Sequence, residues 1–337
     1  MNHDLENVRR LAAKLRENLA KCGDDPNVDP VHDTRTGTRR LQATLEDLVR
    51  ASQEGEAGEP VRAAAAATMK TLKKIRREAG PVRDLDVHRK LLDKLVKRAV
   101  QPCEDKKDEM QEAAGQAGIG APDVLETPEA GLRTTDLEQR ADDLDAWLKH
   151  RRSEQADGLK AQASDLVAKL DKRLEELEAA LPAKQVRRAR KKPPGVIALD
   201  AFARLASEMQ MLDASNLHDF RKGAKKARYV AELAAQGDAQ AKQVGETLKK
   251  LQDEIGDWHD WLVLAEEAHT ALGEQATEPI ALIEGERERH FVVAMKTAAT
   301  LRGRLMGEWL AVSRRPVARA GSGVRKQPAG TVRRAAS

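Results

Sequence analysis

His32, Arg35 and Arg39 fall at helical spacing within the stretch VHDTRTGTRRLQATLEDL (residues 31–48), with Arg40 at the edge of the same arc. Thr34, Thr38, Leu41, Leu45 and Leu48 fill the opposite arc. One face can therefore pack into a helical bundle while the other presents a row of cations with no acid between them. Chemically, such a row suits an anion made of many like groups. A guanidinium grips two oxygens in a planar fork, whereas a lysine acts as a mobile point charge. A wall that mixes them can follow a chain of identical anionic groups without demanding one register.

A charge run on a single helix is ordinarily a solvated face, but this one occurs twice. LHDFRKGAKKARYVAELA (residues 217–234) repeats it 186 positions later. His218, Arg221, Lys225 and Lys226 stand for His32, Arg35, Arg39 and Arg40, and Gly223 stands for Gly37. Lys222 and Arg228 widen the second arc. A further echo, offset by 176, sets Gly80, Arg83, Asp84 and Val87 against Gly256, His259, Asp260 and Val263, with Lys73 and Lys74 against Lys249 and Lys250. Between these motifs, Lys70, Lys73, Lys74 and Arg77 form a second cationic stripe at i, i+3, i+4 and i+7. The candidate anion-binding set is therefore these four with the two motif rows, Arg83 and Lys249.

Each of these residues has a plainer reading beside the functional one. The two histidines could cap their helices, or could donate to a phosphate that draws them toward the charged form. In the second case ligand affinity would weaken above about pH 7.5. Asp84, Asp86 and Asp260 cannot attract a polyanion and are expected to orient neighbouring cations by ion pairing. Gly37 and Gly223 cost roughly 1 kcal/mol each inside a helix, which points to close helix packing. The dipeptides His32-Asp33 and His218-Asp219 resemble those of metal-dependent phosphohydrolases. Adjacent helical residues diverge by about 100°, however, so neither pair easily chelates one ion. There is no Gly-rich phosphate loop, no Walker lysine, and no Ser or Cys nucleophile with a recognisable base. No metal site, cofactor or catalytic residue is assigned.

These rows need long helices to carry them, and the composition supplies them. Charged residues make up 34% of the 337-residue chain and aromatics 2%, with abundant Ala, Leu, Glu, Lys and Arg. No run of about 18 apolar residues occurs, and the N-terminus lacks an apolar signal core, so neither a membrane span nor secretion is expected. Cys22 and Cys103 lie far apart without metal-ligand spacing and read as incidental thiols of a reducing cytoplasm. The net charge of +4 is uneven: seven basic residues and no acid follow Ser313, and without them the chain carries −3. Cations are thus confined to particular faces, a focused field that suits one polyanion in one place. With one Tyr and three Phe there is no stacking platform for bases, so nucleic acid is expected to bind only weakly, through the tail.

Periodicity and breakers predict an all-α protein. Helices are expected over about 4–21, 31–51, 61–79, 82–100 and 135–181, the last a single helix or a hairpin broken near Gly158. Others are expected over 198–212, 217–234, 239–255, from Asp257 on, and over 278–312. Gly80-Pro81 and Gly256 read as breaks. Residues 1–182 form a first bundle with a diffuse insert at 101–134, 183–197 a basic, proline-containing linker, 198–312 a second bundle, and 313–337 a disordered basic tail.

VHDTRTGTRRLQATL, GPVRDLDV, LHDFRKGAKKARY and LQDEIGDWHD, in that order, resemble the CHAD family, the conserved histidine α-helical domain, over about residues 5–312. The resemblance implies two four-helix bundles related by a pseudo-twofold, enclosing a basic central groove that binds inorganic polyphosphate without catalysis. His32, Arg35, Arg39, Arg40, His218, Arg221, Lys225 and Lys226 would line it. Gln42 stands where the family often has arginine, and HDWLV replaces the second RDxDV-like motif. A cytoplasmic protein, on polyphosphate granules or beside polyphosphate-metabolising enzymes, is the implied setting. A metal-dependent polyphosphate or phosphoester hydrolase and a nucleic-acid-binding helical protein are the alternatives.

Overall fold

A computed structural model of the protein describes residues 3–51, 58–100, 128–181, 193–232, 237–273 and 277–314. All regular structure among them is helical: α1 (His3–Asp24), α2 (Val28–Ala51), α3 (Glu59–Val100), α4 (Pro128–Ala180), α5 (Pro194–Glu208), α6 (Leu217–Glu232), α7 (Ala239–Leu272) and α8 (Thr277–Ser313). None of these helices is long and apolar enough to cross a membrane.

Apolar burial divides into three cores. Leu15, Leu19, Leu41, Leu45, Leu72, Ile75, Leu159 and Leu166 gather in the first, drawn from α1 to α4. Phe202, Phe220, Val244, Leu248, Ile255 and Leu305 anchor the second, drawn from α5 to α8. Leu92, Leu144, Leu148, Trp261, Leu264 and Ile283 form the third, which takes side chains from α3, α4, α7 and α8 together. Each of these four long helices leaves its own core and continues into the shared one. The short helices α1, α2, α5 and α6 contribute only to their own. Two contacts reinforce the joint: Arg98 pairs with Glu286 at 2.8 Å, and buried His88 meets Glu267 at 2.6 Å.

Continuity into the third core explains where helix-breaking signals were overridden. Gly80-Pro81 does not end a helix; α3 runs through it with Pro81 inside. Proline in a helix interior costs about 3 kcal/mol, but Ile75, Ala79, Val82 and Leu85 are buried on both sides of it, and burial of each large side chain returns about 1.5–3 kcal/mol. Gly256 likewise lies inside α7, and Gly158, with open space around it, inside α4. Other boundaries also shift. The loop expected over 22–30 shrinks to residues 25–27, because Pro30 sits in the first turn of α2, where its missing N–H would have had no helical partner. The insert expected over 101–134 ends earlier, since α4 begins at Pro128. The second-half helix expected over 198–212 begins at Pro194, inside the expected linker, and ends at Glu208. Most of the insert, the basic part of the linker, Cys103 and the tail beyond Arg314 lie outside the described residues.

Candidate anion-binding groove

Helices α2 and α6 carry the repeated motif, and the fold brings them into contact. Their apolar arcs face inward: Leu41, Leu45 and Leu48 enter the first core, and Leu217, Phe220, Ala224 and Ala227 the second. Opposite faces of both helices therefore turn toward the seam between the halves. Glycine permits part of this packing. A Cβ on Gly223 would lie 2.4 Å from Leu205 Cδ1 of α5, whereas one on Gly37 would touch Leu15 of α1 at an ordinary 3.4 Å.

Arg35 and Arg221, equivalent in the repeat, each reach the helix that follows their own. Arg35 Nη1 donates to the Gly80 carbonyl at 2.8 Å and pairs with Asp84 at 2.6 Å. Arg221 Nε donates to the Gln252 carbonyl at 3.0 Å. Its guanidinium occupies space that a Cβ on Gly256 would invade, 2.8 Å from Nη2. Asp84 thus orients a groove cation as expected. Asp86 instead holds Arg152 of α4 at 2.8 Å, away from the repeated rows. Asp260 makes no ion pair among the described residues; burial and the charge of Asp84 raise its pKa, against the pull of His88 and Arg221.

Beyond these anchored arginines lie Arg39 of α2 and Lys225 of α6. Both are half-buried, and neither has a hydrogen-bond or ion-pair partner among the described residues. They act on one another across the seam. Burial, then repulsion from Arg39, Arg221, Arg228 and Arg35, pushes the Lys225 ammonium down to about 7. Burial likewise lowers Arg39, with Arg35, Arg221 and Arg76 opposing its charge. Arg39 and Lys225 themselves have no acidic partner among the described residues, an arrangement an incoming anion would relieve.

Two participants escaped the sequence reading. Arg76 is half-buried, makes a long 3.4 Å hydrogen bond to the Thr38 carbonyl, and has its pKa lowered by burial. On a helix turning about 100° per residue, Arg83 lies within about 20° of Arg76 and Lys73 about 60° away. Lys70, Arg77 and Lys74 point roughly 100–160° away. The i, i+3, i+4, i+7 spacing led to Arg77, which is exposed and pairs with Glu78 at 3.0 Å, one position from the residue that faces α2. Tyr229 is the second. Its ring lies 5.2 Å beneath the Arg228 guanidinium, and burial raises its pKa, so the hydroxyl keeps its proton. It is the chain's single tyrosine, set among cations, and that setting was its available signal.

Several candidates sit toward solvent or carry local partners. His32, Arg40 and Lys226 are exposed. Lys222 pairs with Asp219 at 3.0 Å and Lys249 with Asp253 at 2.6 Å. Arg228 Nε lies 3.0 Å from a Glu232 oxygen, though its N–H is not aimed there. Neither motif histidine is an N-cap, since His32 lies more than a turn inside α2 and His218 within the first turn of α6. His218 stacks on His259 with ring centroids 4.1 Å apart. Burial first, then His259, Lys222 and Arg221, depress it to about 4. His218 is therefore neutral at pH 7, whereas Lys225 is brought down to about 7. Among the described residues no group of three or more His, Cys, Asp or Glu is placed to hold a metal ion.

The family model described as CHAD domain matches residues 6–269, well over half of the chain. The match ends within α7, short of α8. No curated protein matches the chain. This chain belongs to the CHAD family.

Proposed function

We propose that this CHAD-family protein binds inorganic polyphosphate, without catalysis, in the groove between α2 and α6. One observation carries the reading: Arg39 and Lys225, from the two copies of one motif, meet half-buried and without an acidic partner among the described residues. A linear phosphate chain would offer each of them an oxygen, and Arg35, Arg76 and Arg221 would stand beside it. The repeat supports two four-helix halves related by a pseudo-twofold, α1 to α4 and α5 to α8. Such symmetry would present similar walls to a ligand that itself repeats.

The exposed cations His32, Arg40, Lys73, Lys222, Lys226 and Lys249 would extend the field at the rim and speed capture. A cytoplasmic protein on polyphosphate granules, passing the chain to enzymes that make or consume it, fits this role. The test is direct binding of long-chain polyphosphate, with duplex DNA and ATP alongside, to wild type and to an Arg39→Glu/Lys225→Glu variant. Tight binding of polyphosphate, weak binding of the others and loss in the variant with unchanged far-UV circular dichroism are expected. Equal binding of DNA, or retained binding by the variant, overturns the assignment; metal-dependent phosphate release would make the protein an enzyme.

A further inference from the structure

Buried side-chain polar atoms without a partner are few among the described residues, and all of them lie on one wall: His218 Nδ1, Arg228 Nε, Tyr229 Oη, and both Nε2 and Oε1 of Gln252. These residues belong to α6 and α7 alone. Orphaned buried polar groups are rare in folded proteins because each costs about 1–3 kcal/mol. Their confinement to the second-half wall calls for a cause located there.

The repeat shows what is particular about that wall. By the 186 offset Tyr229 corresponds to Ala43, and by the 176 offset Gln252 corresponds to Arg76. The first half thus places an aliphatic residue and a cation where the second places a phenol and an amide. Gln252 is 2% exposed; its backbone carbonyl accepts from the groove's Arg221, and its side-chain amide is buried without a partner. Arg221 also acts on Tyr229. Tyr229 Oη lies within the influence of Arg39 and Arg76 from the opposite half. The charged groups acting on it are the cations Arg39, Arg228 and Arg76 together with Glu232, and a polyanion that drew the cations outward would uncover the hydroxyl.

Resting on the polyphosphate reading, we infer that Tyr229 and Gln252 are ligand-contacting residues, and that the two walls of the groove differ in kind. The α2–α3 wall supplies charge. The α6–α7 wall adds neutral donors, Tyr229 Oη–H and Gln252 Nε2–H, each directed to a single phosphate oxygen. Neutral donors hold an oxygen by geometry and are little weakened by salt, unlike the cations. This wall would keep its grip as ionic strength rises.

The experiment measures long-chain polyphosphate binding and thermal unfolding for wild type, Tyr229→Phe and Gln252→Met, at low and high salt. Each variant should bind roughly tenfold more weakly, with the deficit persisting at high salt, while its unliganded Tm holds or rises because a buried orphan has gone. A structural role would lower Tm and leave affinity unchanged, and that result overturns the inference. If wild type binds polyphosphate and both variants match it, this inference alone fails. If wild type does not bind, the polyphosphate reading falls and takes it along. Should Gln252→Met not fold, Tyr229→Phe decides.

Discussion

On the proposed polyphosphate reading, Lys225 makes binding a proton-linked event with a calculable slope. In the free protein its pKa is held to about 7, against an ordinary lysine value of 10.5. The groups facing it are cations from both halves: Arg35 and Arg39 of α2, Arg221 and Arg228 of α6. A phosphate chain supplies the missing counter-charge and returns the ammonium toward its ordinary range, so above pH 7 binding must take up a proton. The sign follows: below pH 7 the lysine is already charged and affinity is flat. Each further unit of pH then weakens binding by up to tenfold, because one pKa unit equals about 1.36 kcal/mol. Between pH 6 and pH 8 the Kd should rise roughly tenfold. Long-chain polyphosphate is the ligand of choice, since its interior phosphates stay ionised throughout. Titration calorimetry at fixed ionic strength, in buffers of different ionisation enthalpy, reads both the Kd and the proton uptake. A His32→Gln background removes the exposed imidazole of the first cationic row. Lys225→Arg in that background should bind as tightly at pH 6 and show a flat profile. A wild-type profile flat within about twofold, or an unchanged slope in Lys225→Arg, refutes the reasoning. The same depression has a second sign: the unfolded chain binds the proton more tightly, so this group makes the unliganded fold more stable as pH rises from 7 toward 10.5.

The two motif glycines should respond oppositely to alanine. Gly37→Ala meets ordinary contact and gains helix propensity, for about 0.5–1 kcal/mol of stabilisation, whereas Gly223→Ala drives a Cβ into Leu205 and should cost about 1–3 kcal/mol; urea unfolding separates the signs. Gly256→Ala pushes the Arg221 guanidinium from its seat, so polyphosphate affinity should fall at least several-fold while most helicity in circular dichroism persists. Asp86→Ala removes the ion pair of Arg152 and leaves its half-buried guanidinium with the Pro26 carbonyl, which should cost about 1–3 kcal/mol, seen as a drop in urea midpoint.

Periodicity located the helices because it depends on residues a few positions apart, and the motif repeat, read by comparing segments 186 positions apart, singled out the two helices that the fold brings into contact. The sequence could not say that Gly80-Pro81 lies inside one helix, since that rests on Leu92 and Leu95 meeting Trp261 and Ile283 from the other half. The stripe 70–77 was visible as charge, but whether Arg76 or Arg77 faces α2 depends on how α3 is rotated against the first core. His218 looked like a cation at the head of its row; burial, then the neighbouring His259 on which it stacks, keep it neutral, and both come from long-range packing. Tyr229 and Gln252 belong to no charge pattern at all.

The third core lies on the four long helices, while the two motif helices stay out of it. Aliphatic and indole packing at residues outside the repeated rows therefore helps to set how the two halves sit against each other. A substitution such as Leu148→Ala or Trp261→Ala would retune the gap as a hinge pin retunes a pair of tongs.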